Sequence, residues 1–162
     1  MKIPNIKRMK PCLLLIFISL ACNLSAQLAC DNLPHDYTGS CDDFNRSTGI
    51  RSSWNYKKGV LDGGFQQSYM DGQLRCNGKF KSGLLHGKFN AYFGSGEMMT
   101  NAKFKSGSGD FIMHHKNGER KMVGKFIDAL PNGPWISYDE KGNIKDTLES
   151  EEFPRHSMMS HL

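Results

Sequence analysis

Polar and apolar side chains alternate along much of this chain, and pairs of turn-forming residues interrupt the alternation at regular intervals. Asp71-Gly72 and Asn117-Gly118 are the dipeptides that best support a tight two-residue turn, because both residues can adopt positive φ. Ser95-Gly96 and Lys141-Gly142 take the same position in two further stretches. Successive side chains of a strand point to opposite faces. The pattern therefore predicts antiparallel hairpins that each bury one face and leave the other solvated.

The first face, which we expect to form the core, follows from pairing residues across these turns. In the first hairpin, a two-residue turn pairs Tyr69 with Leu74. Counting outward assigns the following residues to the first face: Phe65, Gln67, Tyr69, Leu74, Cys76, Gly78, Phe80, Phe89, Ala91, Phe93, Met98, Thr100, Ala102, Phe104, Phe111, Met113, His115, Arg120, Met122, Gly124, Phe126, Trp135, Ser137, Asp139 and Ile144. Gly78, Ala102 and Gly124 each precede an aromatic residue by two positions. We expect these small residues to leave room for the ring of a neighbouring strand.

The same unit recurs along the chain. The stretch from Asn77 to Met98 matches the residues that begin at Ser53 after a shift of 24 positions, and Phe80 falls on Phe104 after 24 more. A fixed period of this size is typical of repeat architectures. We therefore expect an all-β fold, in which successive β-hairpins form one elongated antiparallel sheet of about nine strands within residues 49–145.

The second, opposite face changes character along the chain. Its first positions are polar: Gln66, Ser68, Arg75 and Asn77. Its later positions are apolar: Tyr92, Met99, Ile112, Val123, Ile136 and Tyr138. Soluble monomers rarely leave a large apolar patch open to water, and patches of this kind often bind a partner. These six residues form the predicted partner face, with Tyr138 as its aromatic anchor.

A covering segment is the alternative explanation of this apolar face. The N-terminal residues around Leu33, Tyr37 and Phe44, or the tail around Phe153, could fold over it as a lid. A lidded face would belong to the core and would be closed to other proteins. The sequence leaves both interpretations open.

Lysines also share one face of the predicted sheet. They are Lys79, Lys81, Lys103, Lys105 and Lys125. Such a face would suit an anionic membrane surface. The other interpretation is a solvated face whose charges discourage association between sheets.

Residues 1–26 have the pattern of a signal peptide. A basic region containing Lys7 and Arg8 precedes an apolar run, Cys12 to Ala21, that is too short to span a bilayer. The residues before Gln27 predict a cleavage site there. The alternative is a lipoprotein signal that would lipidate Cys22. Either way we expect an exported protein, periplasmic or secreted.

Removal of this leader changes the charge balance. The leader holds four basic and no acidic residues, so the mature chain carries 21 − 4 = 17 basic residues against 16 acidic ones. A nearly neutral chain gives no support to nucleic-acid binding, which depends on an excess of Lys and Arg.

Residues 27–48 form a polar, turn-rich segment in which the sequence predicts no strand. It contains Cys30 and Cys41, and export would permit a disulfide between them. Free thiols and metal ligation are the alternatives, but no histidine stands at a matching spacing for a zinc site. We expect the disulfide. Residues 146–162 are predicted to be a disordered polar tail.

The repeat resembles a known family. Its pattern, Y/F-K-x-G-x-x-x-G-x-F/W-x-x-Y/F-x-x-G-x-L, is similar to the MORN-repeat variant of many bacterial proteins, including the YwqK-family antitoxins. Tyr56 to Leu74 and Phe80 to Met98 follow it closely, whereas Phe104 to Arg120 is two residues short and Phe126 to Ile144 has Ala129 for a glycine. The resemblance implies a scaffold or a binder of proteins, without catalytic residues. The antitoxin label implies capture of a partner protein.

Motifs of catalysis and cofactor binding are missing from the sequence. There is no G-x-S-x-G, no H-E-x-x-H and no phosphate-binding G-x-x-x-x-G-K. We expect no catalytic, cofactor-binding or metal-binding residues. The expected function is a non-enzymatic module that binds another protein or scaffolds an envelope assembly. The alternatives are a binder of anionic lipid surfaces, an antitoxin-like or immunity-like protein that neutralises its partner, and an enzyme.

Overall fold

The computed structural model describes residues 7–8, Cys30 and 33–149. Most of the predicted signal peptide and residues 150–162 of the predicted tail lie outside this part. The strands are β1 (Lys7–Arg8), β2 (Gly39–Asn45), β3 (Ile50–Lys57), β4 (Val60–Leu61), β5 (Gly63–Ser68), β6 (Leu74–Lys81), β7 (Leu84–Leu85), β8 (Gly87–Tyr92), β9 (Met98–Phe104), β10 (Gly109–His114), β11 (Arg120–Ile127), β12 (Leu130–Tyr138) and β13 (Ile144–Glu149).

The described residues form one sheet and contain no helix. The strand order is β1-β13-β12-β11-β10-β9-β8-β6-β5-β3-β2, with β4 paired to β3 and β7 to β6. Neighbouring strands are antiparallel, except that β1 runs parallel to β13. The predicted all-β sheet of successive hairpins is confirmed. It has 13 strands instead of about nine, because β1, β2, β4 and β7 were not predicted.

The N-terminal segment contributes β2, where the sequence predicts no strand. Residues Gly39 to Asn45 pair with β3 along their whole length. This pairing satisfies backbone groups that β3 would otherwise expose as an edge strand. At the other end of the chain, β13 extends to Glu149, so residues 146–149 are part of the sheet rather than of a disordered tail.

A disulfide joins Cys30 to Cys41 on β2, as the sequence predicts, with their Cα atoms 6.4 Å apart. Cys30 is buried, and Cys41 packs against the core. The bridge closes a loop that links Cys30 to the edge strand β2. On the chain-entropy estimate, a loop of this size stabilises the fold by about 3 kcal/mol.

Four hairpins end in three-residue loops rather than in the predicted two-residue turns. In the first, the N–H of Gly72 donates to the carbonyl of Tyr69 at 3.0 Å, and the N–H of Tyr69 donates to the carbonyl of Gln73 at 2.9 Å. The same pair of bonds recurs at Phe93–Glu97, His115–Glu119 and Asp139–Asn143. Gly72 has a φ of +84°, which is the left-handed conformation that this loop requires of its third residue.

The strand that follows each three-residue loop contains one additional residue, which compensates for the longer loop. Beside the first loop Ser68 pairs with Leu74, but one step further Gln67 pairs with Cys76. Arg75 is therefore the additional residue of a β-bulge. Beyond the bulge the register is the predicted one, and the buried first face is confirmed along the bodies of the strands.

The predicted faces are wrong beside the loops, because the bulges interrupt the alternation. Met98 and Ile144, predicted on the first face, are 47% and 61% exposed. Arg120 is exposed as well. Arg75, predicted on the solvated face, is buried and donates from Nη1 to Gln67 Oε1 at 2.9 Å.

Two-residue turns do occur, at the opposite end of the sheet. Both residues have positive φ in each of the pairs Lys58-Gly59, Ser82-Gly83, Ser106-Gly107 and Asp128-Ala129. Positive φ at both positions is the requirement of a type I′ turn. Three of these turns meet it with glycine in second place, whereas the fourth places Ala129 at a φ of +64°.

We expect Ala129→Gly to raise the free energy of unfolding by about 0.5–1 kcal/mol, because it relieves the steric cost of a side chain at positive φ. Gly107→Ala, at the equivalent position, should have the opposite effect. Its Cβ would lie 2.8 Å from the backbone nitrogen of Ala129. Chemical denaturation of both variants measures the two changes, and a lowered midpoint for Ala129→Gly would contradict the strain argument.

Each two-residue turn is held by the repeat before it, through an acceptor 20 positions upstream. The N–H of Ser82, for example, donates to Asp62 Oδ2 at 3.0 Å. The other acceptors are Thr38 Oγ1 for Lys58, His86 Nδ1 for Ser106 and Ser108 Oγ for Asp128. The N–H of Gly83 adds a bond to the carbonyl of Leu61 at 2.8 Å. These hydrogen bonds connect successive repeats at their turns, in addition to the pairing of their strands.

Aromatic rings on the first face form a continuous core. Trp54 stacks on Phe65 with ring centroids 5.1 Å apart. The series continues through Phe65–Phe89 at 6.3 Å, Phe89–Phe104 at 6.4 Å, Phe104–Phe126 at 6.1 Å and Phe126–Trp135 at 4.9 Å. A Cβ at Gly78 would lie 2.7 Å from Phe65 Cε1, so the predicted packing role of this glycine is confirmed.

Candidate functional site

The second face carries a central row of side chains that crosses the sheet from one end to the other. On the first strands the row is polar: Asp42, Ser53, Gln66, Asn77, Asn90 and Asn101. Met113 pairs with Thr100, so Ile112 takes the next place. From there the row continues through Val123, Ile136 and Thr147. One strip of the sheet thus has a polar half and an apolar half.

Amide groups bond to one another along the polar half. Asn90 Nδ2 donates to Asn77 Oδ1 at 3.0 Å, and Asn101 Nδ2 donates to Asn90 Oδ1 at 2.6 Å. This ladder uses one N–H of each donating amide, so each keeps a second N–H that it can offer to solvent or to a ligand.

The apolar half brings three of the predicted partner-face residues together. Ile112 pairs with Val123, and Val123 pairs with Ile136, on the adjacent strands β10, β11 and β12. Each of the three is partly exposed. Tyr138 lies two residues beyond Ile136 on β12 and is also partly exposed. The structure therefore assembles a contiguous apolar surface from Ile112, Val123 and Ile136, which lie 11 and 13 positions apart in the sequence.

Met99 does not belong to this surface. It is the additional residue of the bulge between β8 and β9, since Thr100 pairs with Ala91 and Met98 with Tyr92. Its side chain packs against the core cluster instead. Alternation cannot predict the direction of a bulged residue, and the assignment of Met99 to the partner face was wrong for that reason.

Two apolar residues that sequence reasoning missed stand beside the predicted ones. Met98 pairs with Tyr92, and Ile144 pairs with Tyr138. Both are well exposed. Glycine at the third loop position is compatible with a three-residue loop; allowing for that loop would have placed both residues on the second face.

Lysines lie along the outer margin of the same face. The five predicted ones, Lys79, Lys81, Lys103, Lys105 and Lys125, are exposed. Lys88 joins them and pairs directly with Lys103, while Lys125 pairs with Asp110. Like charges opposite each other destabilise a sheet, so this margin favours contact with negative charge.

The N-terminal residues proposed as a lid do not cover the apolar half. Leu33 packs against the core cluster, and Tyr37 lies against Tyr56 with ring centroids 6.3 Å apart. Phe44 lies under the guanidinium of Arg51, at 5.5 Å, on the first strands of the sheet. The lid interpretation is wrong for these residues, and Phe153 lies outside the described residues.

Two loop carboxylates are held in their ionised form. A hydrogen bond from the Asn143 side chain keeps the pKa of Asp139 below its ordinary value, and the Ser95 hydroxyl does the same for the pKa of Glu97. The ionised form of Asp139 therefore stabilises its loop above the ordinary carboxyl pKa. This contribution is lost as the pH falls through the lowered pKa.

Within the described residues, no group of three or more His, Cys, Asp or Glu side chains could hold a metal ion. The same residues include no helix long and apolar enough to cross a membrane. No protein-family model matches the chain, and no curated protein matches it either. The similarity to MORN repeats stays a prediction from the residues.

Proposed function

We propose that this chain is a non-enzymatic, exported repeat module that binds another protein through the second face of its last hairpins. One observation carries the proposal: Ile112, Val123 and Ile136 form a contiguous, partly exposed apolar row. Apolar patches of this kind mark interaction sites on soluble proteins. Tyr138 supplies the aromatic anchor that interfaces favour.

The surroundings of this row also support a protein partner. Met98 and Ile144 extend the apolar surface towards the loops, and the lysine margin borders it on the other side. An apolar centre with a charged rim is the usual anatomy of a protein interface. The partner is expected to present apolar side chains flanked by carboxylates.

Ile112→Asp and Ile136→Asp test the proposal. We expect each variant to lose the co-purifying protein in affinity purification from the native envelope. Because both side chains are partly solvated, melting temperatures should fall by no more than roughly 5 °C. Val60→Asp is the matched control, since Val60 is a 45% exposed apolar residue of β4, which pairs with β3 far from the last hairpins. It should retain the partner.

Two outcomes would contradict the proposed interface. If both aspartate variants fold and still retain every co-purifying protein, the face does not bind the partner. If they unfold before binding can be measured, the row belongs to a covered core. A partner whose toxicity is suppressed by the bound chain would identify the antitoxin-like form of this function.

An anionic membrane surface is the second candidate, favoured by the exposed lysine margin. Each lysine near such a surface contributes about 1 kcal/mol of attraction. Co-sedimentation with anionic phospholipid vesicles, compared with zwitterionic ones, distinguishes this candidate. A membrane binder should sediment with the anionic vesicles and lose this behaviour in the Lys103→Gln/Lys125→Gln double variant, whereas a protein binder should stay in solution.

A further inference from the structure

A polar groove lies at the end of the sheet remote from the apolar row, where β2, β3 and β5 are neighbours. A cavity of about 480 Å³ is lined by residues that include Asp42, Phe44, Arg51, Ser53, Gln66 and Ser68. A second cavity of about 310 Å³ adjoins it, and Ser53 and Gln66 line both. The two cavities are therefore parts of one groove.

Strand register explains the shape of the groove. Ser53 pairs with Asp42 on one side and with Gln66 on the other. In the next row Arg51 pairs with Phe44 and with Ser68. The short serine side chains leave space between the larger groups of the neighbouring strands. Alternation places these residues on the second face, in the same strip as the amide ladder.

The lining offers both hydrogen-bond donors and acceptors, and it carries two carboxylates, Asp42 and Asp43, against one guanidinium, Arg51. Serine hydroxyls and the Gln66 amide both donate and accept, the Asp42 carboxylate accepts, and the Arg51 guanidinium donates. Asp42 and Gln66 are exposed. The lysines of this face lie outside the groove. A ligand that suits this lining has many hydroxyl groups and no negative charge, which the excess of carboxylates would repel.

An aromatic ring stands at the edge of the groove. Phe44 is 41% exposed, and the guanidinium of Arg51 lies 5.5 Å from its ring centroid. A large exposed ring held against a cation offers an apolar platform to a ligand. The C–H face of a sugar ring combines with such a platform, while the hydroxyls at its rim reach the polar groups beside it.

The amide ladder extends this strip beyond the groove. Asn77 follows Gln66 in the central row, and Asn90 and Asn101 follow in turn. Adjacent members are one strand apart, about 4.8 Å. A polymer with a hydroxyl-rich repeat could therefore make the same kind of contact several times along the row.

We propose that this groove and the amide ladder bind a neutral glycan chain. The groove lies at the opposite end of the second face from the proposed protein interface, and the ladder leads from it as far as Asn101, beside Ile112. The two sites use different residues. A glycan site and a protein site on one exported chain would let it hold a partner at a polysaccharide surface. Either site can fail its test while the other stands.

The test uses the full chain and three soluble probes. Cellohexaose and hexa-N-acetylchitohexaose are neutral, and hexagalacturonic acid is the anionic comparison. The side-chain amide resonances of Gln66 and Asn77 report binding in NMR titrations. We expect a neutral oligosaccharide to shift them, with affinity reduced about tenfold in Phe44→Ala and in Gln66→Ala. Met70→Ala, which truncates a 72% exposed side chain in a loop, is the control and should bind as the wild type does.

Three results would overturn the proposal. The first is that neither neutral oligosaccharide shifts these resonances. The second is stronger binding of the anionic oligosaccharide, which would assign the interaction to the lysine margin. The third is binding that Phe44→Ala and Gln66→Ala leave unchanged, since the glycan would then lie elsewhere. Ile112→Asp should bind the neutral probe normally, which separates this test from that of the protein interface.

Discussion

Replacing Phe89 by alanine is expected to lower the free energy of unfolding by about 3–5 kcal/mol. The side chain is 1% exposed, and its ring lies between Phe65, at 6.3 Å, and Phe104, at 6.4 Å. It therefore connects the first hairpin to the second. Each repeat contacts mainly its neighbours in such an array, so other contacts cannot replace the lost ones.

Urea denaturation of the wild type and of Phe89→Ala measures this loss. Phe44→Ala is the control, because it removes the same ring from a 41% exposed position. Its cost should stay below about 1 kcal/mol. If thermal unfolding of Phe89→Ala, measured alongside, fell within about a degree of the wild type, the assignment of the first face to the core would be wrong.

The hairpin array was predictable because its information is local. A strand that buries one face must place apolar residues at every second position, and turn residues must separate the strands. Both features stand in the sequence around Phe65, Phe89, Phe111 and Trp135, all of which are buried. The repeat reinforced the prediction, since the same faces were obtained in successive units.

Loop length was harder to predict, because Asp-Gly and Asn-Gly are compatible with hairpin loops of two and of three residues. The two-residue interpretation gave the correct register in the strand bodies, since a bulge offsets the additional loop residue. It failed for Arg75, Met98 and Met99, which lie at or beside bulges. One residue more in the loop than predicted therefore changes the face on which several side chains lie.

The residues of the candidate interface could be predicted from the same local rules, but whether another segment covers them depends on tertiary structure. Alternation predicted that Ile112, Val123 and Ile136 share a face, and cross-strand register aligned them in one row. The position of Leu33 against the core and that of Tyr37 against Tyr56 are tertiary outcomes that no local pattern specifies. The polar groove likewise depends on β2, whose pairing with β3 is not encoded by an apolar alternation.

Gly124→Ala is expected to destabilise the protein by roughly 3 kcal/mol, the upper end of overpacking costs. A Cβ at Gly124 would lie 2.5 Å from Cε3 of Trp135, with Cδ2 and Cε2 closer still. The indole is 1% exposed and cannot move aside without disturbing Phe126, whose centroid is 4.9 Å away. Gly64→Ala is the control, because the nearest atom to its Cβ would be 4.0 Å away.

A second substitution shows whether the indole causes this effect. Trp135→Leu itself destabilises the protein, because it removes most of a buried ring. Part of this cost is offset, since the substitution also removes a buried Nε1 that has no hydrogen-bond partner among the described residues. With the ring gone, the added methyl group has room, and alanine is favoured over glycine within a strand. Gly124→Ala should then cost less than about 0.5 kcal/mol, so the double-mutant cycle should give a coupling energy of roughly 2–3 kcal/mol. An equal cost in both backgrounds would show that Gly124 is required for a reason other than space for Trp135.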